Sequence, residues 1–145
     1  MGPAVVLFTT WLLGRLAGAL GLDVLDGWQP SLRVAVAAMF VLTGLAHFGS
    51  RRREMIEMVP AGLPRPALLV TATGVLELLG ALGLLVPATA SVAGWCLAVL
   101  VVAMFPANVH AARRGLNLGG KPVTPLPLRC VLQLVFVAAF VAAAA

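Results

Sequence analysis

Residues 67–87, ALLVTATGVLELLGALGLLVP, form an apolar stretch broken by one carboxylate, Glu77. About twenty apolar residues in a row are enough to cross the hydrocarbon core of a bilayer as a helix. A carboxylate at mid-membrane is costly against lipid, so it turns toward protein and must be neutral, paired or set in a polar cavity. One helix cannot shelter that group alone. The rest of the chain is therefore read as helices packed around this one.

The remaining sequence can supply them. Of 145 residues, 61% are hydrophobic and 10% charged, and the mean hydropathy is +1.06. A soluble domain is usually about a quarter charged. The fold class expected is an all-α membrane protein of one domain, with the lipid bilayer as its solvent. Five spans are predicted, over about 4–22, 31–50, 67–87, 91–112 and 128–145. The first is diluted by Arg15 and several glycines. It lacks a basic leading region and reads as a membrane helix rather than a cleaved signal. Gly14-x-x-x-Gly18 within it has the spacing of close helix packing.

Between the spans, residues 23–30 make a short acidic loop in which Trp28 suits the membrane interface. Ser31 is a plausible N-cap of the second span and Gly49 a plausible terminator. In 51–66, Met55, Ile56, Met58 and Val59 alternate with Glu54 and Glu57. That pattern predicts a short amphipathic turn on the membrane surface, ended by Pro60. Pro106 should kink the fourth span and free backbone carbonyls near Asn108. Residues 113–127 read as a Gly/Pro-rich basic loop.

Charge sets the expected orientation. Arg51, Arg52, Arg53 and Arg65 share one loop, and Arg113, Arg114 and Lys121 another; the loops 23–30 and 88–90 have neither Lys nor Arg. With five spans both basic loops fall on one side, which the positive-inside rule makes cytoplasmic. The N-terminus is then cytoplasmic too. The formal net charge of +5 is thereby accounted for, and no nucleic-acid partner is expected.

The polar residues concentrate toward that basic side. At a rise of about 1.5 Å per residue, Glu77 lies roughly 15 Å from it. His47, Asn108 and His110 sit within a turn or two of the same face, and Arg129 and Gln133, four residues apart, enter from it on one side of the last span. Together they predict a polar pocket with Glu77 at its floor and the others nearer its mouth. A carboxylate and an imidazole in such a site can pass protons or hold a polar head group. The structural alternative leaves the histidines in interfacial water, Arg129 snorkelling to phosphates, and Glu77 tying helices together. No tight His/Glu ligand spacing occurs, so no metal is expected. No phosphate-binding, dinucleotide or nucleophile motif is present. Cys96 and Cys130 fall at heights too different to bridge and read as buried small residues.

The run AAMFVLTGLAHF at 37–48, Gly74-x-x-Glu77 on the third span, and Asn108-x-His110 after Pro106 resemble the DoxX-like membrane proteins of bacteria. The resemblance covers about residues 33–140. It implies a four-helix core with residues 4–22 as an added helix, a place in the bacterial inner membrane, and links to redox homeostasis. The family takes its name from a small subunit of a thiosulfate:quinone oxidoreductase. The resulting expectation is a subunit that binds a quinone or similar lipophilic molecule and works with a soluble oxidoreductase partner. Glu77 and His47 would handle protons, and Asn108 and Gln133 would orient the ligand. The alternatives are a carrier or permease for a small amphiphile, and a scaffold that assembles partners, or copies of itself, through its small-residue faces.

Overall fold

The computed structural model describes residues 2–145; Met1 lies outside them. Among the described residues, the regular structure is all helical apart from one two-stranded hairpin. Its helices are α1 (Gly2–Ala19), α2 (Trp28–Ala46), α3 (Arg52–Met58), α4 (Pro66–Leu85), α5 (Ala90–Arg114) and α6 (Leu126–Ala144), with a 3-10 turn at Asp23–Leu25. Five of these, all but the short α3, are long and apolar enough to cross a membrane. This is the architecture of a multi-pass membrane protein. Helices α2, α4, α5 and α6 close into a ring, each in contact with the next, and α1 packs mainly on the outside of α2.

Local chemistry explains where the helices stop. α1 ends earlier than residue 22 because Gly21 adopts φ +106. The amide of Leu22 then bonds the Ala17 carbonyl and that of Gly21 the Gly18 carbonyl, a Schellman closure that satisfies the last carbonyls. Gly115 ends α5 in the same way. α4 ends at Leu85 because Val86 precedes Pro87 and is held extended, at φ −100 and ψ 115.

Ser31 is not the cap of α2. The helix begins a turn earlier, after Gly27, and Pro30 is tolerated in a first turn that needs no amide donor. Ser31 is fully buried, donates to the Leu25 carbonyl at 3.0 Å, and faces Gly14, where a Cβ would come within 3.2 Å of its own. A small residue is needed there for packing rather than for capping.

The two ends of the ring differ. Away from the basic loops it is tightly filled: Phe40 and Phe140 pack with ring centroids 4.9 Å apart, and Leu84, Leu97, Ala143 and Val36 are buried beside them. Arg33 turns its Nε to the Ala143 carbonyl at 2.8 Å. Gln29 reaches that of Ala142 at 3.4 Å. These side chains satisfy the orphan carbonyls at the end of α6.

The basic end is covered rather than open. α3 does not lie on the outside with its apolar side in lipid. It folds under the ring against α4 and α5 and buries Met58. The 113–127 segment contains an antiparallel hairpin, Asn117–Leu118 with Lys121–Pro122, turned by Gly119 and Gly120 at φ +65 and +72. Its Gly119 amide donates to Glu54 Oε2 at 2.5 Å, which joins the hairpin to α3. Pro106 does not interrupt α5, which runs unbroken through it. Both cysteines are free and exposed on the outer surface, not buried as the sequence suggests.

Candidate functional site

Between the packed half and the α3–hairpin cover lies a cavity of about 450 Å³. Its walls are mostly apolar: Met39, Phe40, Leu100, Met104, Leu132 and Phe136 above, and Met55, Met58, Val59 and Leu118 from the cover. Two polar groups interrupt them, one carried by α2 and α4, the other by α5 and α6.

The first is built on Thr43, His47 and Glu77. Thr43 and His47 are four residues apart, so both lie on one face of α2. Glu77 is 3% exposed and His47 4%, yet both line the cavity. The Thr43 hydroxyl donates to Glu77 Oε2 at 2.6 Å. The Thr43 carbonyl accepts from His47 Nδ1 at 2.8 Å. His47 Nδ1 and Glu77 Oε2 stand 3.9 Å apart, beyond direct hydrogen bonding. Thr43 therefore links the two, and each keeps one polar atom free of bonds within the described residues: Nε2 of His47 and Oε1 of Glu77.

Close approach of α2 to α4 makes this possible. A Cβ on Gly74 would come within 2.6 Å of His47 Cβ, so only glycine allows the two backbones to meet at that height. Below them Arg52 bonds the His47 carbonyl at 3.1 Å, the Ala67 carbonyl at 3.1 Å and Thr71 Oγ1 at 2.9 Å. It ties the end of α2 to the start of α4.

The second group is Asn108, Arg129 and Gln133. Arg129 does not snorkel outward. It donates through Nη1 to Asn108 Oδ1 and through Nε to the Thr124 carbonyl at 3.0 Å. Gln133 donates to the Val101 carbonyl at 3.1 Å, next to the Val102 carbonyl that Pro106 leaves without its helical donor. α4 and α6 lie diagonally across the ring, so the cavity separates Glu77 from Arg129.

Five of the six residues singled out in the sequence line this cavity: His47, Glu77, Asn108, Arg129 and Gln133. His110 does not. Two residues beyond Asn108 on a helix is a turn of about 200°, which carries His110 away from the cavity wall, where it is half-buried. Sequence reasoning sets Thr43 on the face of His47 without making it a site residue, and does not bring Arg52 or the α3 methionines to the site. The four-residue spacing of Thr43 to His47 is the available signal for the first. No group of His, Cys, Asp and Glu suited to a metal ion occurs among the described residues.

Residues 36–144 match the model of a family described as a domain of unknown function, DUF8561. The chain belongs to the DUF8561 family. The match begins inside α2 and spans the rest of the ring, the cover and every polar residue of the cavity, and α1 precedes it. No curated protein and no solved structure matches the chain. In this DUF8561 protein the cavity thus sits wholly within the family's own segment, apart from Pro3 and Ala4 of α1 at its edge.

Proposed function

We propose that this DUF8561 protein is a DoxX-like inner-membrane subunit whose cavity holds a quinone or a similar lipophilic ring compound for a membrane redox system. The observation that carries the reading is the cavity itself, apolar on most sides with hydrogen-bonding groups at two opposed points. A space of about 450 Å³ with mostly apolar walls and a few convergent polar groups has the size and lining of a small-molecule site. Water finds few partners on such walls. A flat ring with polar atoms at its two ends fits both the walls and the opposed polar groups. Glu77 and His47 exchange protons with one end, Arg129 and Asn108 orient the other, and a soluble oxidoreductase partner exchanges electrons with the ring.

The basic loops support, through the positive-inside rule, a reading with α3, the hairpin and the N-terminus on the cytoplasmic side. A reporter fused to the C-terminus is then expected to read as periplasmic; a cytoplasmic signal overturns this orientation. The densely packed far half, with Phe40, Phe140 and Leu84 buried, offers no through-path and weighs against the carrier reading.

The test is mass spectrometry of lipophilic molecules extracted from purified wild type and Glu77→Gln. A quinone or related ring compound present in wild type and lost in the variant supports the proposal. No bound species in either leaves Glu77 as a helix-packing residue and favours a scaffold.

A further inference from the structure

We infer that the Thr43–His47–Glu77 wall selects a hydrogen-bond-donating head group, the ring hydroxyl of a quinol or phenol, over the carbonyl of an oxidised quinone. This rests on the reading of the cavity as a site for such a ring, and it names the form the site takes.

The proton count at the wall decides it. A backbone carbonyl can only accept, so in the 2.8 Å contact with the Thr43 carbonyl it is His47 Nδ1 that donates. In the neutral imidazole Nε2 is then a bare acceptor. The single Thr43 hydroxyl proton is spent on Glu77 Oε2 at 2.6 Å; the Phe40 carbonyl, at 3.4 Å, is the poorer partner. Thr43 thus takes the His47 Nδ1 proton and its own hydroxyl proton away from the ligand, and an ionised Glu77 brings no proton of its own. With Glu77 ionised, the atoms left without a partner are two acceptors, Nε2 of His47 and Oε1 of Glu77. A proton on Glu77 would place a donor at Oε1, so the preference belongs to the ionised carboxylate, the form tested below. A quinone carbonyl brought to Nε2 sets lone pair against lone pair, whereas a hydroxyl donates to it. The opposite wall is complementary. Arg129 can only donate, and Asn108 Oδ1 is already taken by it. A ring with a hydroxyl toward Thr43 and an oxygen acceptor toward Arg129 satisfies both.

Sites built to bond a hydroxyl reject the analogue that lacks it more strongly than apolar pockets reject size changes. The experiment uses the full-length protein in nanodiscs at pH 8, above the usual imidazole range. Decylubiquinol under anaerobic conditions, decylubiquinone, and the dimethyl ether of decylubiquinol are compared by equilibrium binding. The ether keeps the ring and removes both donors. The expected result is quinol binding about tenfold or more tighter than either of the others. His47→Asn keeps a donor for the Thr43 carbonyl and removes the acceptor at Nε2, and should reduce the preference to about twofold or less. Equal binding of all three overturns the inference and leaves the cavity reading standing. Binding of none overturns the reading and the inference with it. A quinol preference that survives in His47→Asn, or binding in which the quinone is the tighter ligand, also overturns it. The wild-type ligand series decides the matter even if the variant does not fold.

Discussion

Thr43→Val tests whether Thr43 holds the site together. Valine keeps the shape of threonine and removes only the hydroxyl, and with it the 2.6 Å bond to Glu77 Oε2. Glu77 is 3% exposed, and its carboxyl would be deprived of a partner that water cannot replace on an apolar wall. Leaving a buried polar group short of its bond costs about 1–3 kcal/mol. At about 2–4 °C per kcal/mol for a chain of this length, the melting temperature should fall by about 2–12 °C. Circular dichroism at 222 nm in detergent follows it directly, since the fold is helical. Thr43→Ser restores the donor and should recover most of the stability. The decisive comparison is a double-mutant cycle with Glu77→Met, which removes the acceptor. In that background Thr43→Val should cost little, because no carboxyl is left to strand. An equal destabilisation with Glu77 present and absent would show that the hydroxyl stabilises α2 for some other reason and that it does not join the pair.

Other consequences are as direct. Gly74→Ala forces a Cβ to within 2.6 Å of His47 Cβ, a backbone-anchored atom, and should destabilise by about 1–3 kcal/mol through overpacking; Gly62→Ala, with nothing within 4 Å, is the control, and thermal unfolding of the two side by side reads the difference. Arg33→Met keeps the apolar stem but removes the Nε bond to the Ala143 carbonyl, and should cost about 1 kcal/mol or more in the same assay. Glu54→Ala removes the acceptor for the Gly119 amide and should loosen the cover. In a background with Cys96 and Cys130 replaced by Ala, a cysteine introduced at Met58, which is 9% exposed, should then react faster with a maleimide than it does beside intact Glu54. An unchanged rate would show that the Glu54 bond does not hold the cover shut.

The spans are legible in the sequence because a run of apolar residues long enough to cross a bilayer has few other uses. Glu77 is legible as inward for the matching reason, the cost of a carboxylate in lipid. Both are properties of a single segment measured against its solvent. What pairs with what is not legible. Asn108 and Arg129 lie on different helices, and nothing in their spacing says that one guanidinium turns inward to one amide rather than out to phosphates. Depth groups His110 with Asn108, although the helical turn between them sets them on different sides. Depth is read from sequence position alone, whereas the side a residue faces depends on which neighbour the helix meets.

The short helix α3 shows the same limit in its sharpest form. Its methionines report an apolar face, and from sequence alone that face belongs on the membrane. Lipid and an apolar cavity are nearly the same environment for a methionine, so hydrophobicity cannot choose between them. The choice is made by polar contacts far away in sequence. The Gly119 amide holds Glu54 from one side, and Arg52 bonds the end of α2 and the start of α4 on the other. Both ties lie in the first turn of α3, Arg52 to the ring and Glu54 to the hairpin, and the apolar residues that follow are held over the cavity. A surface helix needs neither tie, and that is why Glu54→Ala separates the two arrangements: it should expose Met58 if α3 is a cover and change nothing if α3 belongs to the membrane surface.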